Sequence, residues 1–160
     1  MQSTHPEGIP MEPDPLVESR QRRLAILARA PRQEIETLLE TVGGAPPHEA
    51  LKAPETGTVI VEGRAGGTGR RFNLGEATVT RCVVRLEDGT LGYSYALGRD
   101  KTKARLAALI DALAQDAQRG PVIAAGLARL ALDQQALRAL ASRKAAATRV
   151  EFFTMVRGEG

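Results

Sequence analysis

At 160 residues the chain is long enough for one domain with a real core and too short to expect two. Its 22 basic and 19 acidic residues leave a net charge of +3, a field too weak to mark a nucleic-acid binder. A lone cysteine, Cys82, excludes an internal disulfide framework and a Cys-only metal site, and no run of about 18 apolar residues could cross a membrane. Aromatic residues make up only 3% of the chain, so aliphatic side chains and Ala must do most of the packing. A chain so short of aromatic area is expected to bury part of its apolar surface against a partner.

The opening MQSTHPEGIPMEPDP lacks the apolar stretch of a signal peptide, so a cytoplasmic protein is expected. Its four prolines block regular hydrogen bonding, and residues 1–15 read as a flexible leader to one domain over 16–160. Residues 16–30 read as a helix, basic on one side through Arg20, Arg22, Arg23 and Arg29. Pro31 suits the first position of a second helix, whose Ile35, Leu38, Leu39 and Val42 follow the spacing of a buried stripe. Gly43-Gly44 and Pro46-Pro47 stop it, so the first 50 residues are expected to form a helical hairpin and a loop.

The period then changes. Thr58–Glu62 is a β-branched run between glycines, and a Gly-rich turn over 63–69 leads to a second strand at 70–74. A third strand is expected over 76–87 and a fourth over 90–97, joined by the turn signal Asp88-Gly89. Connections this short favour antiparallel pairing. Asp100 is a good N-cap for a helix whose Leu106, Leu109, Ile110 and Leu113 form another stripe. Gly120-Pro121 is expected to break it, and residues 122–146 read as an Ala- and Leu-rich helix. The chain returns to strand character over 149–156, apolar on both faces. The expected fold is thus α+β, a small antiparallel sheet of about four or five strands packed with N-terminal and C-terminal helices. All five aromatics fall in expected strands, which places the densest packing in the sheet.

Glycines let backbone N–H groups approach an anion and guanidinium groups grip phosphate in bidentate fashion, which makes Gly63–Arg71 the most chemical-looking segment. It lacks the GxxxxGK[ST] pattern and lies between strands, so a solvated hairpin loop is the competing reading. Gly98-Arg99-Asp100-Lys101 opens a helix and could attract an anion or simply be a capped turn. Cys82 reads as a buried structural thiol. His5 and His48 lie in Pro-rich segments expected to be mobile, so neither suits a general base. Paired carboxylates, HExxH and GxSxG do not occur; no catalytic residue and no metal ligand is assigned.

Three ordered blocks carry a family resemblance: PETGTVIVEGRAGGTGRRFNLGEATVTRCVVRL, then DGTLGYSYALGRDKTKARLAALIDAL, and RVEFFTMVRG near the C-terminus. Together they resemble the G subunit of the phosphonate carbon–phosphorus lyase system, closely over residues 54–115 and 149–158. The resemblance implies a core complex with H, I and J subunits, two of each kind. With the H, I and L proteins, such a subunit is implicated in making alpha-D-ribose 1-methylphosphonate 5-triphosphate from ATP and methylphosphonate with release of adenine. The chemistry at the ribose is attributed to I and the radical iron–sulfur step to J. This chain would bind no cofactor itself, ATP being a substrate of the complex. Arg64, Gly66, Gly67, Thr68, Gly69 and Arg71 match the family's Gly-rich block and are the anion-handling or interface candidates. Phe152, Phe153, Met155 and Arg157 match its terminal block and are interface candidates. A free-standing anion- or nucleotide-binding module and a purely structural adaptor are the competing functions, and self-association of the chain alone stays open.

Overall fold

A computed structural model describes residues 14–147. Asp14 caps the first helix, α1 (Pro15–Arg29), its carboxylate accepting the Leu16 N–H at 2.9 Å. Helix α2 (Arg32–Thr41) follows at once and buries Ile35, Leu38 and Leu39, the stripe its spacing predicts. Strand β1 (His48–Arg64) begins earlier than expected, so His48 is the first residue of a strand rather than part of a loop. Its Nδ1 lies 2.8 Å from the Pro46 carbonyl. The pairing of β1 is irregular between Lys52 and Glu55. Pro54 is tolerated there because β1 is an edge strand.

A 3-10 turn (Ala65–Gly67) connects β1 to β2 (Arg71–Leu86), which absorbs both the second and the third expected strands. The register runs Val61 to Gly75 and then Glu62 to Asn73, leaving Leu74 unopposed. One extra residue is taken up as a bulge, and the strand bends without breaking. With β3 (Leu91–Leu97) the described residues form a three-stranded antiparallel sheet in the order β1-β2-β3, rather than four or five strands. The expected strand at 149–156 lies outside the described residues. Across Asp88-Gly89 the Leu86 N–H donates to the Thr90 carbonyl at 2.9 Å, as a hairpin there requires.

Helix α3 (Lys101–Leu113) is capped by Asp100, which accepts the Lys103 N–H at 2.9 Å. Helix α4 (Arg119–Ala147) starts before Gly120-Pro121 instead of after it. Asp116 accepts the Gln118 and Arg119 N–H groups, and Pro121 sits in the first turn, where its missing N–H costs nothing.

The centre of the molecule is α3, whose residues 107–113 are all buried. It lies on the face of the sheet formed by Thr80, Cys82, Val84, Ser94 and Ala96, and α1, α2 and α4 pack around its other sides. The dense packing is therefore aliphatic and helix-centred. Phe72 and Tyr95, expected in the core, are 47% and 53% exposed. Small residues permit the close approach of α3. A Cβ on Gly92 would lie 2.8 Å from the Ala112 Cβ and closer still to the Ala108 carbonyl oxygen. Gly92→Ala is accordingly expected to lower stability by about 2–3 kcal/mol through forced separation of α3 and β3, read from the urea midpoint.

The outer edge of β3 is closed by charge. Asp111 of α3, fully buried, accepts the Tyr93 N–H at 3.0 Å, Arg23 Nε at 2.8 Å and a two-nitrogen contact from Arg20. Arg20 also donates to the Leu91 carbonyl at 3.0 Å and stacks 4.8 Å from the Tyr93 ring centroid. These contacts occupy backbone groups that an edge strand would otherwise present to another chain.

Candidate functional site

Strand β3 ends at Leu97, opposite Val79, so β1 and β2 continue alone through residues 58–78. This two-stranded arm is roughly 20–25 Å long at about 3.3 Å per residue. A lone two-stranded hairpin is marginal in water. Alternation gives its faces different chemistry. Val59, Val61 and Phe72 share one face with Leu97 and Tyr95 of the sheet's outer surface. Leu74 joins them, its side chain lying over Gly63. All six are exposed, Leu74 by 61%. The other face carries Ile60, Glu62, Arg64, Arg71 and Glu76.

Arg64 and Arg71 stand directly opposite each other, two like charges on one face. Glu62 answers only one of them, at 3.7 Å from Arg71. These residues and Gly63 line an open cleft of about 370 Å³. Beyond them Gly66 and Gly67 adopt φ of 59° and 82°, a conformation that glycine takes without strain. The Gly69 N–H donates to the Ala65 carbonyl at 2.7 Å and closes the tip, with Thr68 exposed on it. The loop thus brings Arg64 and Arg71 together and places Gly66, Gly67, Thr68 and Gly69 at the end of the arm.

The other expected sites are occupied by the protein itself. Asp100 already caps α3 and also receives Arg32 at 3.4 Å, so an anion at that helix end would compete with a carboxylate. Lys103 donates to the Ala28 carbonyl at 2.9 Å, and desolvation pulls its ammonium below the ordinary lysine range. The Cys82 thiol is buried and donates to the Lys52 carbonyl, and burial pushes its pKa up against the opposing field of Arg105. That is the structural thiol expected. Phe152, Phe153, Met155 and Arg157 lie outside the described residues. Among the described residues no helix is long and apolar enough to cross a membrane.

Reading the sequence for charged and glycine-rich chemistry missed the apolar face of the arm. The strand assignments alone could have exposed it, because alternation through Val59, Val61 and Phe72 leaves one face without polar residues. It also missed Asp111, although an acid inside the Ala- and Leu-rich α3 is itself a sign of a buried pair.

Residues 18–158 match the profile of the family described as phosphonate metabolism protein PhnG. The chain is also 43% identical over 143 residues to a protein of Rhizobium meliloti (strain 1021) named alpha-D-ribose 1-methylphosphonate 5-triphosphate synthase subunit PhnG. That alignment covers 89% of this chain and 92% of the relative.

Proposed function

This chain belongs to the PhnG family, and on that premise we propose that it is a non-catalytic subunit of an alpha-D-ribose 1-methylphosphonate 5-triphosphate synthase, docked through its arm. The observation that carries this reading is the arm's exposed apolar face of Val59, Val61, Phe72 and Leu74, on an element that no third strand supports among the described residues. The partners are the H, I and J subunits, with the L protein acting alongside them in the cytoplasm.

Docked in this way, the arm presents its charged face to the substrate site. Arg64 and Arg71 repel each other when empty, and an anion between them removes that repulsion while forming charge-assisted hydrogen bonds. The triphosphate of ATP supplies such an anion. Held by its phosphate chain, the nucleotide would offer the ribose C1 to groups on another subunit, where the phosphonate oxygen replaces adenine. This chain's part is to bind and orient, and the bond exchange belongs to its partners.

Co-expression with the H, I and J subunits followed by mass measurement tests membership. Arg64→Ala with Arg71→Ala tests the anion role. Loss of two charge-assisted hydrogen bonds, each about 1.5 kcal/mol or more, is expected to cut kcat/KM for ATP at least about ten-fold with assembly unchanged. Unaltered turnover in an intact complex would make the tip a solvated turn.

A further inference from the structure

Helix α4 outruns the body of the protein. The Gln134 side-chain amide reaches the Ile26 carbonyl of α1 at 2.9 Å, and every residue from 135 to 147 is then exposed. A helical stretch this short, left to itself in water, is marginal even when rich in Ala.

One face of that stretch continues the buried seam of the helix. Ile123 and Leu130 are buried, and a Cβ on Gly126 between them would run into Leu38 of α2. The same alternation of three- and four-residue steps passes beyond the body through Asp133, Leu137, Leu140 and Lys144, the a and d positions of a heptad. Leu137 and Leu140 are 66% and 43% exposed. Ala136 and Ala141 flank them, and small residues there let a second helix come close.

The order of residues along the seam identifies that second helix. A two-fold axis between residues 138 and 139 sets Leu137 opposite Leu140 of another copy and, in the same register, Asp133 opposite Lys144. A parallel pair would instead stack Asp133 on Asp133 and Lys144 on Lys144. The seam therefore complements itself in apolar area and in charge, as an isologous contact requires. Within its own chain Asp133 has only a long contact, 3.8 Å, to Arg129 among the described residues.

We propose that two copies of this chain pair antiparallel through residues 133–144 of α4, with Leu137 and Leu140 of both copies at the centre and an Asp133–Lys144 pair at each end. The paired stretch is about 17 Å long. That is well short of a permanent interface, so monomer and dimer exchange. The contact uses no residue of the arm and stands or falls apart from the docking proposed above.

Sedimentation equilibrium on the isolated full chain, from about 1 to about 200 μM, reads the mass. The expected result is a rise from the monomer's 17.1 kDa toward twice that value. A monomer's mass throughout overturns the proposal. Leu137→Asp with Leu140→Asp should weaken the dimer at least about 100-fold. Leu132→Asp, equally exposed at 66% but off the seam, should leave it unchanged. A dimer that survives the double variant is held elsewhere, as by the open edge of β1, and also overturns it. Asp133→Lys alone should weaken pairing at least about ten-fold, and Lys144→Asp added to it should restore the dimer. Absence of that rescue would refute the antiparallel register.

Discussion

Asp111→Ala is expected to destabilise the protein by about 3–5 kcal/mol, because it strips one partner from a buried charge cluster. The side chain has no solvent exposure, and its removal leaves Arg23, with 15% exposure, facing an apolar surround. The Tyr93 N–H loses its acceptor at the same time, and Arg20 loses one of its two anchors. Urea unfolding measures the loss. Arg20→Met should cost less, since Asp111 keeps Arg23 as its counter-charge and Arg20, at 32% exposure, is already partly solvated. Replacing the set together, with Arg20→Met, Arg23→Met and Asp111→Leu, should recover much of the deficit, because no charge is then stranded. A loss below about 1 kcal/mol for Asp111→Ala would mean that packing alone holds α1 to the sheet.

Phe72→Asp with Leu74→Asp is expected to abolish co-purification with the partner subunits while leaving the isolated chain as stable as before. Both side chains are already largely in water, so the unfolding free energy should change by no more than about 0.5 kcal/mol. In the assembly each would forfeit about 1.5–3 kcal/mol of apolar burial, which together weakens association at least about 100-fold. Ile60→Asp, on the opposite face of the arm, should cost less than about ten-fold. Full assembly by the double variant would show that the apolar face serves no interface. The same comparison separates docking from anion handling, since Arg64→Ala with Arg71→Ala is expected to spare the complex and slow the reaction.

Local signals in the sequence announced the local structure. The stripes of α2 and α3, the Asp100 cap, the Asp88-Gly89 turn and the buried Cys82 all follow from neighbours within a few residues. Long-range pairing was not visible there. Gly75 looks like a strand break, yet the tertiary register converts its surroundings into a bulge around Leu74. Pro121 looks like a helix stop but falls in the first turn, because Asp116 accepts the Arg119 N–H and α4 starts there, three residues before the expected start at 122. Arg20 and Arg23 find Asp111 some ninety positions away, a distance at which periodicity is silent. The candidate site divides in the same manner. Its arginines could be picked out one by one, whereas their direct opposition exists only in the paired strands.

With the Tyr93 N–H and the Leu91 carbonyl of β3 engaged by Asp111 and Arg20, the edge left open among the described residues is that of β1. The irregular stretch around Pro54 denies a continuous ladder to the first part of that strand, so residues 55–61 are the available template. They run straight into the apolar arm. A chain made in excess of its partners is therefore expected to seed stacked, strand-swapped material from this one flank. The ratio in which the subunits are produced, more than the folding free energy of this one, then sets how much of it stays dissolved.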